Sequence, residues 1–531
     1  MGAVVHLGAF RPRTFGVVEM HLRGKCSILN RVPSGNGASY DSRQKTIKDG
    51  RRKELHSLEK TQSRCLQRSF PFVSASPHGP PTVRPYRHVA PVFSSSKRRG
   101  ITTASVGDLE RESERNVEVT SAGKSPPSAA YIHLPFCKRR CHYCDFSIIA
   151  TGDSNRDHWI ENMERYVDIV CREIDATQGG QDRGPLTTVF FGGGTPSLVP
   201  PPLVGRILES LDRKFGISAE SEISMEMDPG TFDEKQLKET LALGVNRVSL
   251  GVQSFDEEIL KSCGRSHGVG EVRQAIALMH AHAPNWSLDL ISSLPHQNMT
   301  NWTETLNAAV AAGPNHIAIY DLQVEEGTKF GRMYTPGEAP LPKDDLSAEM
   351  YCMGSRILST AGYNHYEVSN YAKPGFESRH NQVYWRNEQY YAFGMAAASY
   401  LEGVRFTRPK KLTSYTKWVD ALVSSGSSGS QEPKATKEDE LLDTLMLGLR
   451  LAEGLRMAPL RDTFGGGAAD EVFKGLQKHG PKYVSFLDIE GRAVEDIDNS
   501  ADLVHRVRLT DPDGFLVSND IISSLFAKLM P

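Results

Sequence analysis

Six short apolar segments recur along the middle of the chain, each separated from the next by a longer stretch with helical periodicity. The segments cover residues 131–134, 188–191, 222–226, 247–250, 286–289 and 316–320. The stretches between them, such as 159–174 and 271–282, are long enough for a crossover helix, which parallel strands require. The pattern predicts an α/β fold, a partial (β/α)6 barrel with its chemistry at the carboxyl ends of the strands.

Beyond residue 360 the elements are shorter and less regular. Apolar residues at 441, 442, 445, 446 and 449 share one helix face. Near the end, residues 506–510 alternate like a strand, and Asp513-Gly514 is predicted to turn the chain into a second strand at 515–517. A last helix is predicted from about Asn519. We therefore divide the chain into a barrel core at 129–360 and a smaller C-terminal α+β domain at 361–531.

The first 107 residues differ in composition from everything that follows. They contain 19 Lys and Arg against five Asp and Glu, are rich in Ser, Pro and Gly, and show no sustained apolar period. Such a composition is typical of an organellar transit peptide, whereas a secretory signal needs a continuous apolar segment. We predict a transit peptide or disordered leader at 1–107, a linker at 108–128, and an organellar location, with a plastid favoured over a mitochondrion. A later true start, such as Met20, is the alternative.

Charge and cysteine content exclude several classes of protein. The formal net charge is −2, so no global basic field indicates a nucleic-acid partner. The terminal helix and hairpin hint at a winged helix, but their turn carries Asp511 and Asp513 where phosphate contacts need Lys or Arg. Eight cysteines in 531 residues do not make a disulfide scaffold. No run of about 18 apolar residues exists, and we predict no transmembrane segment.

Three of the cysteines form the motif Cys137-x3-Cys141-x2-Cys144. Three thiolates on a short loop can hold three irons of a [4Fe–4S] cluster and leave the fourth iron open to a small molecule. This is the layout of a radical S-adenosylmethionine (SAM) site, in which an electron from the cluster cleaves SAM to a 5′-deoxyadenosyl radical. Structural zinc, which takes four N or S ligands, is the alternative, with His142 as the fourth ligand.

Glycines and polar residues lie at or just after the predicted strand ends. Residues 192–194 are three glycines, and Gly193, Gly194 and Thr195 allow the close approach of a ligand. Glu226 and Asp289 end the third and fifth segments and suit the ammonium and ribose groups of SAM. Gln253 and Arg265 follow the fourth strand and also offer polar groups to SAM. The guanidinium of Arg265 can form two parallel hydrogen bonds with a carboxylate. Each residue alone has an ordinary explanation, but together they predict one SAM site.

Over roughly residues 125–531 the chain resembles the radical SAM family that contains oxygen-independent coproporphyrinogen III dehydrogenase. The resemblance is carried by the cysteine motif and by residues 191–196, 251–254 and 289–291. It implies a [4Fe–4S] cluster on the three cysteines, SAM beside it, and an electron donor for the cluster. We include Tyr131 and Tyr143, which flank the first and last of these cysteines, in the same cofactor site.

Two features separate the branches of this family. The dehydrogenases have a further cysteine two places after the third ligand, where this chain has Phe146, and an N-terminal arm that nothing here resembles. Phe146 and the segment 380–385, His-Asn-Gln-Val-Tyr-Trp, resemble instead the haem-chaperone branch, HemW. That resemblance implies haem bound with His380 and a haem-acceptor protein as partner. Oxidative decarboxylation of coproporphyrinogen III is the alternative function, and a His-Asn turn among core aromatics is the alternative for His380.

The chain also departs from this family at two places. Residues 289–297 have Ser293 and His296 on either side of Leu-Pro, where relatives usually have glycines. Ala398 stands where relatives usually have a histidine. We expect the first change to alter a loop beside the SAM ribose and the second to remove a polar group.

Overall fold

A computed structural model describes residues 126–152, 156–180, 184–426, 434–497 and 501–530. The predicted leader at 1–107 and most of the predicted linker at 108–128 lie outside these residues. Within the described helices, none is both long and apolar enough to cross a lipid bilayer.

All six predicted strands are present and lie side by side in one sheet, which confirms the barrel-type α/β core. They are parallel to their neighbours throughout. Their bounds are β1 Ala129–Leu134, β4 Leu186–Gly193, β5 Ile217–Met227, β6 Arg247–Gln253, β7 Trp286–Ser292 and β8 His316–Asp321. The intervening β2 Phe136–Cys137 and β3 Ile149–Ala150 form a separate parallel pair that carries the first cysteine.

Three strands from beyond residue 360 complete the sheet to nine strands, in the order β11-β1-β4-β5-β6-β7-β8-β10-β9. β9 Asn364–Glu367 and β10 Asn370–Ala372 form an antiparallel extension on β8, and β11 Tyr391–Phe393 adds a parallel strand beside β1. The C-terminal part of the chain therefore contributes directly to the barrel sheet.

Alternate residues of the parallel strands face opposite sides of the sheet. One set, exemplified by Ile132, Val189, Val248 and Leu288, packs in the large hydrophobic core. Helices follow the strands, and their bounds are α1 Arg156–Ala176, α2 Pro201–Phe215, α3 Glu234–Ala242, α4 Glu257–Ser262, α5 Val269–His282, α6 Met299–Ala312, α7 Lys329–Met333 and α8 Asp344–Thr360. Most of them pack on this side, whereas Ile259 of α4 and Phe330 of α7 pack in a separate cluster beside the cysteine loop. The predicted helices at 159–174 and 271–282 lie within α1 and α5.

The other set of strand residues faces the barrel interior and is mostly polar. It is made of buried side chains that include Thr188, Glu222, Ser224, Arg247, Ser249, Ser287, Asp289 and His316. Interiors of closed (β/α)8 barrels are usually filled by bulky branched residues. A polar interior costs stability unless it has a purpose, because each buried polar group needs a partner. The barrel interior is therefore where a ligand-binding function is expected.

The rest of the chain forms smaller units around this barrel. α9 Arg379–Trp385 closes one end of the interior, and β12 Ala398–Leu401 and β13 Val404–Thr407 form a hairpin. α10 Leu412–Ser425 packs against α1. A second hydrophobic core lies within the C-terminal elements, which are α11 Lys437–Gly448, β14 Leu455–Arg456, α12 Met457–Phe464, α13 Gly466–Gln477, β15 Val484–Leu487, β16 Arg506–Leu509, α14 Asp513–Leu516 and α15 Ser518–Leu529.

The predicted strand at 515–517 is wrong. Residues from Asp513 to Leu516 form the short helix α14, and the final helix follows at α15 as expected. β16 already has β14 and β15 on its two edges, so no position is left for a further strand. Thr510 accepts the amide of Gly514 on its hydroxyl at 2.9 Å, which starts the turn and directs Phe515 into the core.

One buried carboxylate in this part of the sheet makes stability depend on pH. Glu367 is fully buried, and burial raises its pKa to about 7 although Ser369 and Asn370 donate hydrogen bonds to it. A folded-state pKa above the unfolded value of about 4.3 means that the folded state binds the proton more tightly. Stability is then highest in acid and falls as the pH rises from about 4.3 to 7.

We expect Glu367→Gln to remove most of this loss of stability. Between pH 5 and pH 8, the free energy of unfolding of the variant should fall by about 1–3 kcal/mol less than that of the unaltered protein. Urea unfolding at the two pH values measures the difference. Exposed Glu349→Gln is the matched control and should behave like the unaltered protein. An unchanged pH dependence in Glu367→Gln would contradict the assignment.

Candidate functional site

A single pocket lies at the carboxyl ends of β4, β5 and β6 and brings the cysteine loop against them. It has about 510 Å³ of empty space, counting the part that opens to solvent. Its lining includes all three motif cysteines together with Gly194, Thr195, Glu226, Gln253 and Arg265. Residues predicted from four separate segments of the sequence therefore meet at one place.

The cysteine loop is fixed to the sheet at its first thiol. Cys137 ends β2, is buried, and accepts a hydrogen bond from the Thr195 hydroxyl at 3.4 Å. Burial raises the pKa of Cys137 to about 12 and that of Cys144 to about 11, so both thiols are protonated in the metal-free protein at neutral pH. Metal ligation requires thiolates, so loading of this loop releases protons.

Both ring nitrogens of His142 contact groups other than the three thiols, which argues against a zinc site with His142 as its fourth ligand. Its Nδ1 lies 2.8 Å from the carbonyl of Ser262, and its Nε2 lies 2.9 Å from Nζ of Lys329. Within the described ranges, no three His, Cys, Asp or Glu side chains are arranged to hold a metal ion. The three thiols instead stand around a pocket, as the ligands of a cluster larger than one ion must.

Arg265 connects the cysteine loop to the strand ends. One guanidinium nitrogen lies 3.3 Å from Sγ of Cys141 and 3.2 Å from the Tyr143 hydroxyl, and the other donates to the Gly251 carbonyl at 2.9 Å and to Asp228. Burial alone would raise the pKa of Asp228, but the Arg265 charge, together with His267 and the Ser266 hydrogen bond, lowers that pKa below its usual value. The pair is therefore ionised and holds the loop in place.

The glycine loop is shaped by contacts that leave no room for side chains. The amide of Gly193 donates to Oε2 of Glu226 at 3.1 Å, and Gly193 has φ 115°, a conformation that favours glycine. A Cβ on Gly194 would lie 2.6 Å from the carbonyl carbon of Pro135. The amide of Thr195 donates to the Phe136 carbonyl at 2.7 Å, which ties this loop beneath the cysteines.

Gln253 supplies the clearest indication that the pocket is built for a ligand. It ends β6 with φ 69°, a strained conformation for a non-glycine residue, and it is only 1% exposed. Neither its amide nitrogen nor its amide oxygen has a hydrogen-bond partner in the described structure. Buried amides are almost always hydrogen-bonded, so an unpaired one that lines a pocket fits a polar ligand such as SAM.

Four other predicted cofactor residues do not line this pocket. Tyr143 contacts Arg265 through its hydroxyl but does not line the pocket. Gly193 immediately precedes Gly194, which does line it. Tyr131 is buried in the barrel interior, where its hydroxyl lies 3.2 Å from Nδ1 of His133. The prediction that Asp289 ends its strand is wrong, because β7 runs on to Ser292 through further buried residues. Asp289 lies within the barrel and accepts the Ser249 hydroxyl at 3.0 Å.

His380 lies at the opposite, amino-terminal end of the barrel interior. Its Nδ1 is 2.8 Å from the hydroxyl of Thr188 and its Nε2 is 2.8 Å from that of Tyr384. Burial lowers its pKa to about 3, and the nearby Arg247 charge adds to the shift. Thr188 and Gly194 are six residues, or roughly 20 Å, apart along one strand and its end. His380 itself lies closer to the cysteine pocket, because its ring stacks on Phe190 at 5.2 Å between centroids and both Phe190 and Glu226 lie against Gly192. In this conformation His380 has no free ring nitrogen.

Sequence reasoning missed Asp228, which lines the pocket. Asp228 follows Glu226 by two positions and binds Arg265, and its other oxygen accepts the Ser266 hydroxyl at 3.1 Å. The signal was present, since an acid at a strand end before Pro-Gly parallels the other strand-end residues. Its role as the counter-ion of Arg265 needs the tertiary structure.

The two family departures have different structural outcomes. Ser293 and His296 have φ values of 62° and 66°, in the left-handed region that favours glycine. The Ser293 hydroxyl donates to Asp321 at 2.6 Å, which offsets part of the strain. Ala398 begins β12, and nothing in the structure assigns a polar role to its position.

Comparisons with known proteins agree with this geometry. Residues 131–309 match the radical SAM superfamily. The structure resembles a solved coproporphyrinogen III oxidase, HemN, of Escherichia coli with TM-score 0.61 and 21% identity, over 77% of this chain and 92% of that one, which shows the fold. A Synechocystis protein named heme chaperone HemW is 43% identical over 408 residues, 76% of this chain and 97% of its own. The chain belongs to the HemW family of radical SAM proteins.

Other similar proteins carry the HemW name or a radical SAM name. The HemW of Bacillus subtilis is 31% identical over 66% of this chain and 92% of its own length. A zebrafish protein named radical S-adenosyl methionine domain-containing protein 1, mitochondrial, is 30% identical over 64% of this chain and 74% of its own.

The unpaired, strained Gln253 leads to a test that separates stability from binding. Glycine relieves the left-handed strain and removes the unpaired amide, so we expect Gln253→Gly to raise the free energy of unfolding by about 1 kcal/mol. We expect the same change to weaken SAM binding at least tenfold by equilibrium dialysis. Ala396→Gly, at φ 61° outside the pocket, is the control, which should stabilise without affecting SAM. A destabilised Gln253→Gly that still binds SAM would contradict this assignment.

Proposed function

We propose that the protein is a haem chaperone that carries a [4Fe–4S] cluster and SAM and transfers haem to an acceptor protein. The observation that supports this most is the 43% identity over nearly the whole length of a protein named heme chaperone HemW. The cysteine pocket adds independent support, since three thiols and an unpaired buried amide meet at one barrel end.

In this proposal Cys137, Cys141 and Cys144 hold the cluster, and the remaining pocket residues orient SAM. The cluster and SAM supply one-electron chemistry when bound. Gly194 and Thr195 provide backbone for the methionine part of SAM, and Glu226 accepts hydrogen bonds. Gln253 supplies its two unpaired amide atoms, and Arg265 keeps Cys141 beside them. An electron donor for the cluster belongs to the same proposal.

His380 is the proposed haem-binding residue. A neutral imidazole is a natural haem ligand, and burial keeps this one neutral. The described conformation is closed, however, because both ring nitrogens are hydrogen-bonded. We infer that haem is admitted only when α9 moves enough for Nε2 to leave the Tyr384 hydroxyl.

Phe146 supports the chaperone over the dehydrogenase. It packs against the hydrophobic cluster that includes Tyr143, Cys144 and Phe330. A cysteine at this position, as in the dehydrogenases, would place a further thiol next to the cluster ligands. The phenyl ring can neither bind a metal ion nor donate a proton there.

The proposed location is an organelle, with a plastid favoured over a mitochondrion. The basic, acid-poor composition of residues 1–107 supports an organelle, and several similar animal proteins are named mitochondrial. Expression of the full chain fused to a fluorescent protein would distinguish the two organelles.

We expect the cluster to require only the three motif cysteines. Cys137→Ala, Cys141→Ala and Cys144→Ala should each abolish the iron–sulfur absorbance after anaerobic reconstitution, because each removes one of three ligands. Cys263→Ala and Cys352→Ala are the controls, and both should retain full iron content. Cys263 is the sharper control because it is buried and its carbonyl accepts the amide of His142 in the cysteine loop. Loss of the cluster in Cys263→Ala would contradict the three-ligand assignment.

We expect His380→Ala to weaken haem binding at least tenfold or to shift the Soret band, with the iron–sulfur content unchanged. Tyr384→Phe should have the opposite effect and speed haem capture, because it removes the hydroxyl that occupies Nε2. Exposed His296→Ala is the matched control. Haem titration by absorbance and stopped-flow mixing measure both effects. An unchanged spectrum and affinity in His380→Ala would place the haem ligand elsewhere.

A further inference from the structure

Arg247 is a buried cation at the amino-terminal end of the barrel interior. It begins β6, and only 2% of it is exposed. Its neighbour Val248 packs in the outer core, so Arg247 points to the inner side of the sheet. In the described structure its Nε has no hydrogen-bond partner, and no carboxylate lies within the 4.0 Å of its guanidinium that an ion pair requires.

The buried acid on the neighbouring strand is already engaged. Glu222 lies on the neighbouring strand, and its two oxygens accept the backbone amides of Arg379 at 3.2 Å and His380 at 3.1 Å. These bonds hold the start of α9 on the barrel. A buried arginine whose role was structural would be expected to pair with such a carboxylate. Among the described residues, no carboxylate therefore forms an ion pair with Arg247.

The two histidines near Arg247 are neutral and do not compete with it for an anion. His316 and His380 both have lowered pKa values, caused first by burial and then by Arg247 itself. His316 is hydrogen-bonded to the hydroxyls of Ser287 and Tyr366, both at 2.8 Å. The end of the barrel that contains His380 thus has one cation aimed inward and no acid assigned to it.

Resting on the proposed haem function, we propose that Arg247 binds a propionate carboxylate of haem at the amino-terminal end of the barrel interior. A guanidinium suits a carboxylate because it donates two parallel hydrogen bonds. The same end supplies the other groups that haem needs. His380 can reach iron, and its ring stacks on Phe190 at 5.2 Å and meets Tyr384 edge-on at 5.1 Å, which provides flat apolar surfaces.

The carboxylate of SAM is excluded as the partner of Arg247 by distance. Gln253 of the cysteine pocket is six residues further along the same strand, which corresponds to roughly 20 Å. SAM held beside the cysteines does not span that length with its carboxylate while it also contacts the cluster. The ligand of Arg247 therefore enters the opposite part of the barrel.

The test compares haem with haem dimethyl ester, in which both propionates are blocked, on three forms of the full chain. These are the unaltered protein, Arg247→Gln, and Arg379→Gln, which loses an exposed cation on the same helix as His380. Affinities are measured by absorbance titration in one detergent buffer. We expect Arg247→Gln to weaken haem binding about ten- to a hundredfold and to leave ester binding within about twofold. Arg379→Gln should change neither by more than about twofold.

Each other outcome has a distinct meaning. Equal losses for haem and ester in Arg247→Gln, or no loss for either, would overturn the propionate assignment but leave the chaperone function intact. If the unaltered protein binds neither ligand, the proposed function falls and this inference falls with it. Should Arg247→Gln fail to fold, the unaltered protein still decides, because equal affinity for haem and ester overturns the inference and a preference for haem supports it. Arg247→Lys should recover part of that preference.

Discussion

The bonds of the Arg265 guanidinium hold the candidate cofactor site together. They reach the thiol of Cys141, the hydroxyl of Tyr143, the carbonyl of Gly251 and the carboxylate of Asp228. The cysteine loop, β5 and β6 are thus joined through one buried side chain. An ionised pair in a low-dielectric setting needs hydrogen bonds to its polar atoms, and Asp228 and Gly251 accept those of one guanidinium nitrogen. The geometry of the pocket depends on this pair more than on any single cysteine.

In the part of the chain that the structure describes, each end of the barrel interior has a buried side chain with at least one unpaired polar atom. Gln253 lies at the cysteine end and Arg247 at the end closed by α9. The two are about 20 Å apart along β6. On the proposed assignments, SAM lies against the cysteines and haem enters from the end closed by α9. Such an arrangement suits a carrier whose cluster and SAM regulate or prepare haem transfer more than an enzyme that alters the porphyrin.

Local sequence patterns predicted the barrel well because its strands are buried parallel segments with regular spacing. The carboxyl ends of such strands meet at one edge, so the sequence alone predicts that Glu226, Gln253 and the glycine loop belong to one site. Strand length was less predictable, since β7 continues past Asp289 through residues that suit either a strand or a loop. The segment at 515–517 became helix because β16 had no free edge, a fact of sheet order that local sequence does not contain.

Long-range partners account for most of what sequence reasoning did not find. The hydrogen bond at Nδ1 of His380 joins it to Thr188, which is 192 residues away, and the pairing of Asp228 with Arg265 spans 37 residues. The isolation of Arg247 is likewise visible only in three dimensions, because Glu222 looks like its natural partner in neighbouring strands. Sequence could suggest that these residue types matter, but only the fold shows which of them are paired.

The central claim is that this protein carries haem and does not convert a porphyrinogen. The most direct test is an anaerobic incubation of the reconstituted protein with SAM, a chemical reductant and either haem or coproporphyrinogen III. The account predicts tight haem binding, transfer of that haem to an added apoprotein, and no protoporphyrinogen. Formation of protoporphyrinogen at a rate comparable to that of a true dehydrogenase assayed alongside, without haem binding, would contradict it.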